Sequence, residues 1–156
     1  MAHVHQETLS ELVGRLLPGL PASSRRTLAS IARDERPAPG TFLMREGRPT
    51  TDLGLIVEGR LALRDRVGTE DVTAMTLDAG DVFGWSAVLD GISTASIVAL
   101  DDPRVLLFGR ADLLAAIEGD ETIAVVVYRR LLEAVASRLD ATRLLMRDVY
   151  AARGSG

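Results

Sequence analysis

The sequence predicts a mainly β fold with flanking helices, in the form of a sandwich or roll. Apolar residues recur at helical spacing over residues 6–33, short β-type runs fill residues 40–109, and helical spacing returns over residues 110–152. Strands this short and evenly spaced are typical of a sandwich or roll rather than of a parallel sheet with crossover helices. The chain of 156 residues has the length of one domain. We therefore expect one domain over residues 1–152 and a tail over residues 153–156.

Two short helices are predicted over residues 6–33. The first helix is indicated by five apolar residues at helical spacing: Leu9, Leu12, Val13, Leu16 and Leu17. Pro18 and Gly19 end it, since neither residue continues a helix well. A second helix opens at Pro21, and the Pro-Ala-Pro-Gly sequence of residues 37–40 breaks the chain before the β region.

Six strands are predicted between residues 40 and 109. The runs are rich in apolar residues, and glycines separate most of them. Asp101, Asp102 and Pro103 indicate one more turn. The predicted strands are residues 42–44, 53–57, 61–63, 72–77, 97–100 and 105–108.

The C-terminal part is predicted to form a short helix over residues 111–117 and a long helix over residues 121–152. On the long helix, seven residues alternate at spacings of four and three, as in a coiled-coil seam of about three heptads. We call them the seam residues: Tyr128, Leu132, Val135, Leu139, Thr142, Met146 and Val149. One interpretation is a helix packed on its own roll. We favour a homodimer, because the other side of the helix is polar, although Arg138 and Arg143 would face each other in a parallel pair.

Composition excludes several kinds of chemistry. The chain has no cysteine, so it has no disulfide or catalytic thiol, and its 18 basic residues are all arginine, so it has no Schiff-base lysine. No hydrolase or phosphate-loop motif occurs, and we expect no enzyme. His3 and His5 have no third ligand nearby, and we expect no metal site. Since no signal peptide or membrane span is recognisable, we expect a soluble cytoplasmic protein with no membrane partner.

Two motifs carry a resemblance to a known family. Residues 46–59 follow the spacing E-G-x4-D-x3-I-x-x-G, and residues 80–84 read Gly-Asp-Val-Phe-Gly. They resemble the cyclic nucleotide-binding domain family, which includes catabolite activator protein and the regulatory subunits of protein kinase A. The resemblance covers nearly the whole chain. It implies a cyclic-nucleotide-binding β-roll (a jelly-roll, or double-stranded β-helix) preceded by two short helices and followed by a long C-terminal helix.

The resemblance also implies a ligand site. In the family, the second motif opens a phosphate-binding cassette, where a glycine turns the backbone into a short helix whose N–H groups face the anion. A Glu directly after that glycine takes the ribose 2′-hydroxyl, and an Arg about nine residues on pairs with the phosphate. Trp85 and Ser93 stand at these two positions here. Losing both charged contacts costs about 3–6 kcal/mol, or about two to four decades of affinity.

The remaining candidates come from the cassette and the long helix. Trp85 either stacks on a ligand or fills the pocket. Residues 136–142 resemble the family segment whose Thr reaches the base, which gives Thr142 that role. Arg138 or Arg143 either supplies the missing positive charge or is solvated. The candidate ligand-binding residues are Gly84, Trp85, Ser86, Ala87, Ser93, Thr94, Ala95, Thr142 and Arg143.

We therefore expect a non-catalytic sensor or regulatory domain that binds a cyclic nucleotide (cAMP or cGMP) or another small ligand weakly or atypically and signals through its C-terminal helix. The alternative is a dimeric protein-interaction module that has lost ligand binding, with a protein partner that the sequence does not identify. Direct DNA binding is not expected, because the net charge is −4 and the sequence ends near residue 156 without room for a helix-turn-helix.

Overall fold

The computed structural model describes residues 6–154. The predicted fold class is confirmed: an antiparallel β core follows two N-terminal helices and precedes a long C-terminal helix. The elements in chain order are α1 (Leu9–Leu16), α2 (Ala22–Ile31), β1 (Ala32–Glu35), β2 (Phe42–Met44), β3 (Asp52–Val67), β4 (Glu70–Leu77), β5 (Val82–Phe83), a 3-10 helix (Trp85–Val88), β6 (Ser96–Gly109), α3 (Arg110–Gly119) and α4 (Glu121–Arg153). His3, His5 and residues 155–156 of the predicted tail lie outside the described part.

The sheet is built around two long strands. β3 and β6 pair antiparallel along most of their length, β1 and β4 flank them, and the short strands β2 and β5 pair with β6 and β3. The register places Leu55 opposite Leu106, so that apolar side chains of both strands share one face. The two strands therefore form the frame on which the other elements lie.

Four of the predicted strands are in fact two, and the predicted turn at Asp101 is wrong. Residues 53–57 and 61–63 both belong to β3, and residues 97–100 and 105–108 both belong to β6. Gly59 has a φ of +77°, and a Cβ there would lie 2.4 Å from the carbonyl oxygen of Asp101. The pairing register shifts on both sides of this contact. The turn-forming residues thus make a bulge within the strands, not a break between them.

The start of the sheet also differs from the prediction. The second helix ends at Ile31, two residues before the predicted end, and the chain continues directly into β1, which pairs with β6. The sequence of β1, Ala-Arg-Asp-Glu, has no apolar alternation and gives no strand signal. An ion pair holds this edge: Arg104 donates to both carboxylate oxygens of Asp34, at 2.9 and 2.8 Å.

We expect Asp34→Asn to lower the free energy of unfolding by about 1 kcal/mol at pH 7. Hydrogen bonding from Arg104 lowers the pKa of Asp34 from its ordinary value. The ion pair between Asp34 and Arg104 therefore stabilises the fold above the unfolded-state pKa of Asp34. This stabilisation is lost as the pH falls through the lower folded-state pKa. Urea unfolding at a series of pH values checks it: the difference from the parent should shrink in acid, whereas Asp102→Asn, at an exposed aspartate, should differ little at any pH.

The core has two parts, which together position α4. One cluster packs the helices against the sheet, and a second fills the inside of the roll around Ile56, Leu61 and Phe83. The first half of α4 joins the helix-side cluster through Ile123, Val127, Leu131 and Ala134, and no later described residue of α4 is buried. The second half therefore projects past the roll. Within residues 6–154, no helix has the length and apolar character needed to cross a membrane.

Candidate functional site

Gly84 sets the geometry of the cassette. It has φ +80° and ψ +30°, a left-handed conformation, and directly precedes the 3-10 helix over Trp85–Val88. A Cβ at this position would lie 2.4 Å from the backbone oxygen of Asp52. Only glycine fits both the conformation and the close approach to β3. The residues after it are thereby fixed against the start of β3.

The far end of the 3-10 helix is held by Arg110, the first residue of α3. Its Nη1 donates to the carbonyl oxygens of Ser86 (3.1 Å) and Ala87 (2.9 Å), and its Nη2 donates to that of Leu89 (3.1 Å). The carbonyl of Ser86 also accepts the backbone N–H groups of Leu89 and Gly91, so Arg110 adds to the bonds that close this helix end. Sequence analysis missed this residue, because nothing in the local pattern pairs it with a helix more than 20 positions earlier.

A chain of three buried hydroxyls lies behind the cassette. The Oγ1 of Thr50 lies 2.6 Å from the Oγ of Ser86 and 2.6 Å from the Oγ of Ser93. All three side chains are buried. Ser93, which stands where the resemblance implies an arginine, thus directs its hydroxyl to Thr50. Thr50 was not among the predicted site residues, although it lies within the first motif.

A small pocket opens between the cassette and α4. It encloses about 260 Å³, including space open to solvent. Its walls are mostly apolar, and one charged group reaches it, from α4. The lining residues are Met44, Leu63, Phe83, Gly84, Trp85, Ser86, Thr94, Ala95, Ile97 and Arg138.

Arg138 and Trp85 close one side of this pocket. The guanidinium carbon of Arg138 lies 4.4 Å from the ring centroid of Trp85, a cation–π contact. The Nη2 of Arg138 also donates to the carbonyl of Val82 in β5. Burial lowers the pKa of Arg138 from its ordinary value, and the negative charge of Asp81 opposes the shift. Of the two predictions for Arg138, solvated or at the site, the structure supports the second.

The other residues predicted on α4 lie apart from the pocket. Thr142 and Arg143 are exposed, and the hydroxyl of Thr142 donates to the carbonyl of Arg138, one turn earlier on the same helix. Ala87 is buried in the helix-side core cluster. The structure therefore brings Gly84, Trp85, Ser86, Thr94 and Ala95 together with Arg138. It leaves Thr142 and Arg143 outside, because they follow Arg138 on the part of α4 that projects past the roll.

The polar groups of this pocket are hydroxyls and one guanidinium, and none of the described residues that line it has a carboxylate or an imidazole. Among residues 6–154, no three His, Asp or Glu side chains are grouped in a way that would hold a metal ion.

Comparison with protein-family models decides the family. The model described as "Cyclic nucleotide-binding domain" matches residues 35–120, more than half of the chain. The chain belongs to the cyclic nucleotide-binding domain family. The match includes both motifs, the cassette and the start of α3. Domains of this family are typically regulatory rather than catalytic. A search of curated proteins found no significant match.

Solved structures with the same fold come from several organisms. A cyclic nucleotide-binding domain from Methylobacillus flagellatus is 24% identical with a TM-score of 0.75, covering 90% of this chain and 83% of that one. Thermus thermophilus catabolite activator protein is 26% identical with a TM-score of 0.67, covering 86% and 62%. The regulatory domain of Toxoplasma gondii PKA, crystallised with cAMP, is 19% identical with a TM-score of 0.63, covering 70% and 43%. The chain thus spans less than half of the Toxoplasma structure.

Proposed function

We propose that this chain is a non-catalytic regulatory domain that binds a small ligand at the cassette pocket and signals through α4. The ligand is a cyclic nucleotide, or a less charged molecule, held weakly or in an atypical way. A cytoplasmic location and a homodimer complete the proposal. One observation carries it: a single side chain of α4, Arg138, contacts both Trp85 of the cassette and the backbone of β5.

The position of Arg138 supports coupling between the pocket and the helix. The guanidinium stacks on the ring of Trp85, which lines the pocket, and its hydrogen bond to Val82 ties α4 to β5. Arg130, two turns earlier, donates to the carbonyl of Gly80 in the same way. An anion in the pocket would compete with the Val82 carbonyl for the guanidinium of Arg138, because an ion pair adds Coulomb attraction that a neutral carbonyl does not offer. Loss of the hydrogen bond to Val82 would loosen the attachment of α4 to the sheet.

The rest of the pocket supports weak binding of a cyclic nucleotide. The ring of Trp85 replaces the Glu that the family uses for the ribose, and the hydroxyl of Ser93 is bonded to Thr50. The exposed hydroxyl of Thr94 and the guanidinium of Arg138 remain for a ligand. Losing the family's two charged contacts would weaken a micromolar site to about 0.1–10 mM for cAMP or cGMP, and the cation of Arg138 favours the tighter end of that range.

Trp85 is the only tryptophan of the chain and reports on its own pocket. We expect its fluorescence to change on titration with cAMP or cGMP, because a ligand alters the contact with Arg138. Arg138→Gln should weaken binding at least about tenfold, since it removes the one cation that the described residues place in the pocket. Arg143→Gln is the matched control: it removes an arginine from an exposed position of the same helix and should change binding little.

A second candidate function applies if Trp85 and Arg138 fill the pocket permanently. If neither nucleotide changes the fluorescence at 10 mM (about the weakest constant above), the sensor proposal fails for these ligands. The contact between Trp85 and Arg138 would then be a permanent part of the core, and the chain would be a dimeric protein-interaction module. The exposed apolar surface of α4 is the observation that favours this alternative.

The proposed homodimer rests on the seam residues. The six apolar ones are between 42% and 69% exposed, so the roll of their own chain does not cover them. Leu145 and Tyr150, also exposed, flank the seam at positions that meet in a parallel pair, five residues apart on opposite helices. The predicted clash between Arg138 and Arg143 is relieved, because Arg138 turns towards Trp85. The exposed seam, its apolar flanks and the orientation of Arg138 together favour a parallel dimer.

A further inference from the structure

A second pocket lies outside the roll, away from Trp85 and α4. It encloses about 700 Å³ of open space between the turn after β2, the hairpin of β3 and β4, and the start of β6. Three of its seven lining side chains are arginines. We call it the outer arginine pocket, and it is lined by Phe42, Arg45, Glu46, Arg48, Arg66, Asp71 and Ser96.

The three guanidiniums of this pocket have no carboxylate at ion-pair distance among the described residues. Five other arginines form such pairs, namely Arg15, Arg33, Arg36, Arg60 and Arg104. Here Arg45, Arg48 and Arg66 line one cavity, and none of them is within ion-pair distance of a described carboxylate. Like charges gathered in this way repel each other, and an anion between them would remove the repulsion.

The two acidic residues of the pocket leave it with a net positive charge, because three arginines line the same cavity. An oxygen of Glu46 accepts the backbone N–H of Arg66 at 3.0 Å, and the backbone N–H of Glu46 donates to the Oγ of Ser96 at 3.0 Å. Glu46 therefore joins the turn to β3 and β6. Asp71 is opposite Arg66 in the strand register, yet the two side chains form no ion pair. The arginines keep their donors available.

The backbone that carries two of these arginines is fixed in advance. The N–H of Arg48 donates to the carbonyl of Arg45 at 3.1 Å, and residues 47 and 48 exchange hydrogen bonds with Ser93 at 2.8 and 2.9 Å. The guanidinium carbon of Arg45 lies 3.9 Å from the ring centroid of Phe42, a cation–π contact that helps to hold the side chain in place. A turn held in this way loses little freedom when it binds a ligand.

We propose that the outer arginine pocket binds the phosphoryl group of a small phosphorylated molecule. Guanidinium forks match phosphate oxygens in pairs, and three of them around one cavity suit a multiply charged phosphoryl group better than a single carboxylate. The site is separate from the cassette pocket and does not depend on the function proposed for it. A free polyphosphate and a nucleotide share this chemistry.

Calorimetric titration with inorganic tripolyphosphate and with ATP, at constant ionic strength, tests the proposal. We expect saturable binding of tripolyphosphate, and tighter binding of ATP only if the natural ligand is a nucleotide. Arg48→Gln/Arg66→Gln should weaken binding at least about tenfold, while the backbone N–H that holds Glu46 remains. Trp85→Phe should leave binding unchanged, which separates this site from the cassette pocket.

The control removes the same charge elsewhere. Arg26→Gln/Arg147→Gln lowers the positive charge by two at exposed arginines that form no ion pair among the described residues. If this variant loses as much affinity as Arg48→Gln/Arg66→Gln, binding is a property of the net charge and the proposal is wrong. Absence of heat with both ligands also overturns it.

Discussion

Replacing Gly84 with alanine is expected to lower the free energy of unfolding by about 2–5 kcal/mol. A residue with a Cβ pays about 1–2 kcal/mol for the left-handed conformation that Gly84 adopts. It must also push back the carbonyl of Asp52, which would lie 2.4 Å from the new Cβ, and such overpacking costs about 1–3 kcal/mol more. Because Asp52 begins β3 and Trp85 follows Gly84, the shift would displace the cassette pocket as well.

Gly80→Ala is the matched control for this prediction. Gly80 has a φ of +90°, also left-handed, but a Cβ there would meet nothing within 4 Å. Gly80→Ala should therefore lower the free energy of unfolding only by the cost of the left-handed conformation, about 1–2 kcal/mol. Urea denaturation of both variants measures the difference, and the fluorescence of Trp85 reports on the cassette. Equal losses of stability would contradict the close approach of Gly84 to β3.

The fold was largely predictable, because its signals are local. Helical spacing gave α3 and α4 to within two residues and the start of α1 to within three, and the glycine-punctuated runs located the β region. The errors come from tertiary pairing. The bulge at Gly59 has the same residues as a turn, and only its contact with Asp101 shows that the strands continue. The strand β1 exists because β6 pairs with it and Arg104 binds it, which no local pattern indicates.

The site was predictable only in part, because several of its residues are brought together by tertiary contacts. The second motif ends at Gly84, and the structure places Gly84 and the following Trp85 at the wall of the pocket, since a motif of five consecutive residues determines its own turn. The residues that complete the site come from distant parts of the chain: Arg138 lies 56 positions from Val82, and Thr50 lies 36 positions from Ser86. A helix pattern also does not say which of several arginines points inward. Arg138 is the arginine that points inward, because it lies on the same face of α4 as the buried residues of that helix.

The seam of α4 carries the other large expected effect. We expect the parent chain to be a dimer and Leu132→Asp/Leu139→Asp to raise its dissociation constant at least about a thousandfold. Burying one leucine contributes about 1.5–3 kcal/mol, and the double substitution removes four leucines from a symmetric dimer. It also places carboxylates in an apolar seam, which adds a desolvation cost. Sedimentation equilibrium over a range of concentrations measures the change.

The position of Leu144 provides the control for the seam. Leu144 is 59% exposed, as the seam leucines are, but it follows Leu139 by five residues and so lies about 140° around the helix. Leu144→Asp should leave the dimer intact. Leu132→Asp/Leu139→Asp should yield a folded monomer, because both leucines are exposed and contribute little to the core of their own chain. A monomeric parent at high concentration would contradict the dimer. If Leu144→Asp were as disruptive as Leu132→Asp/Leu139→Asp, the copies would associate through another face of α4.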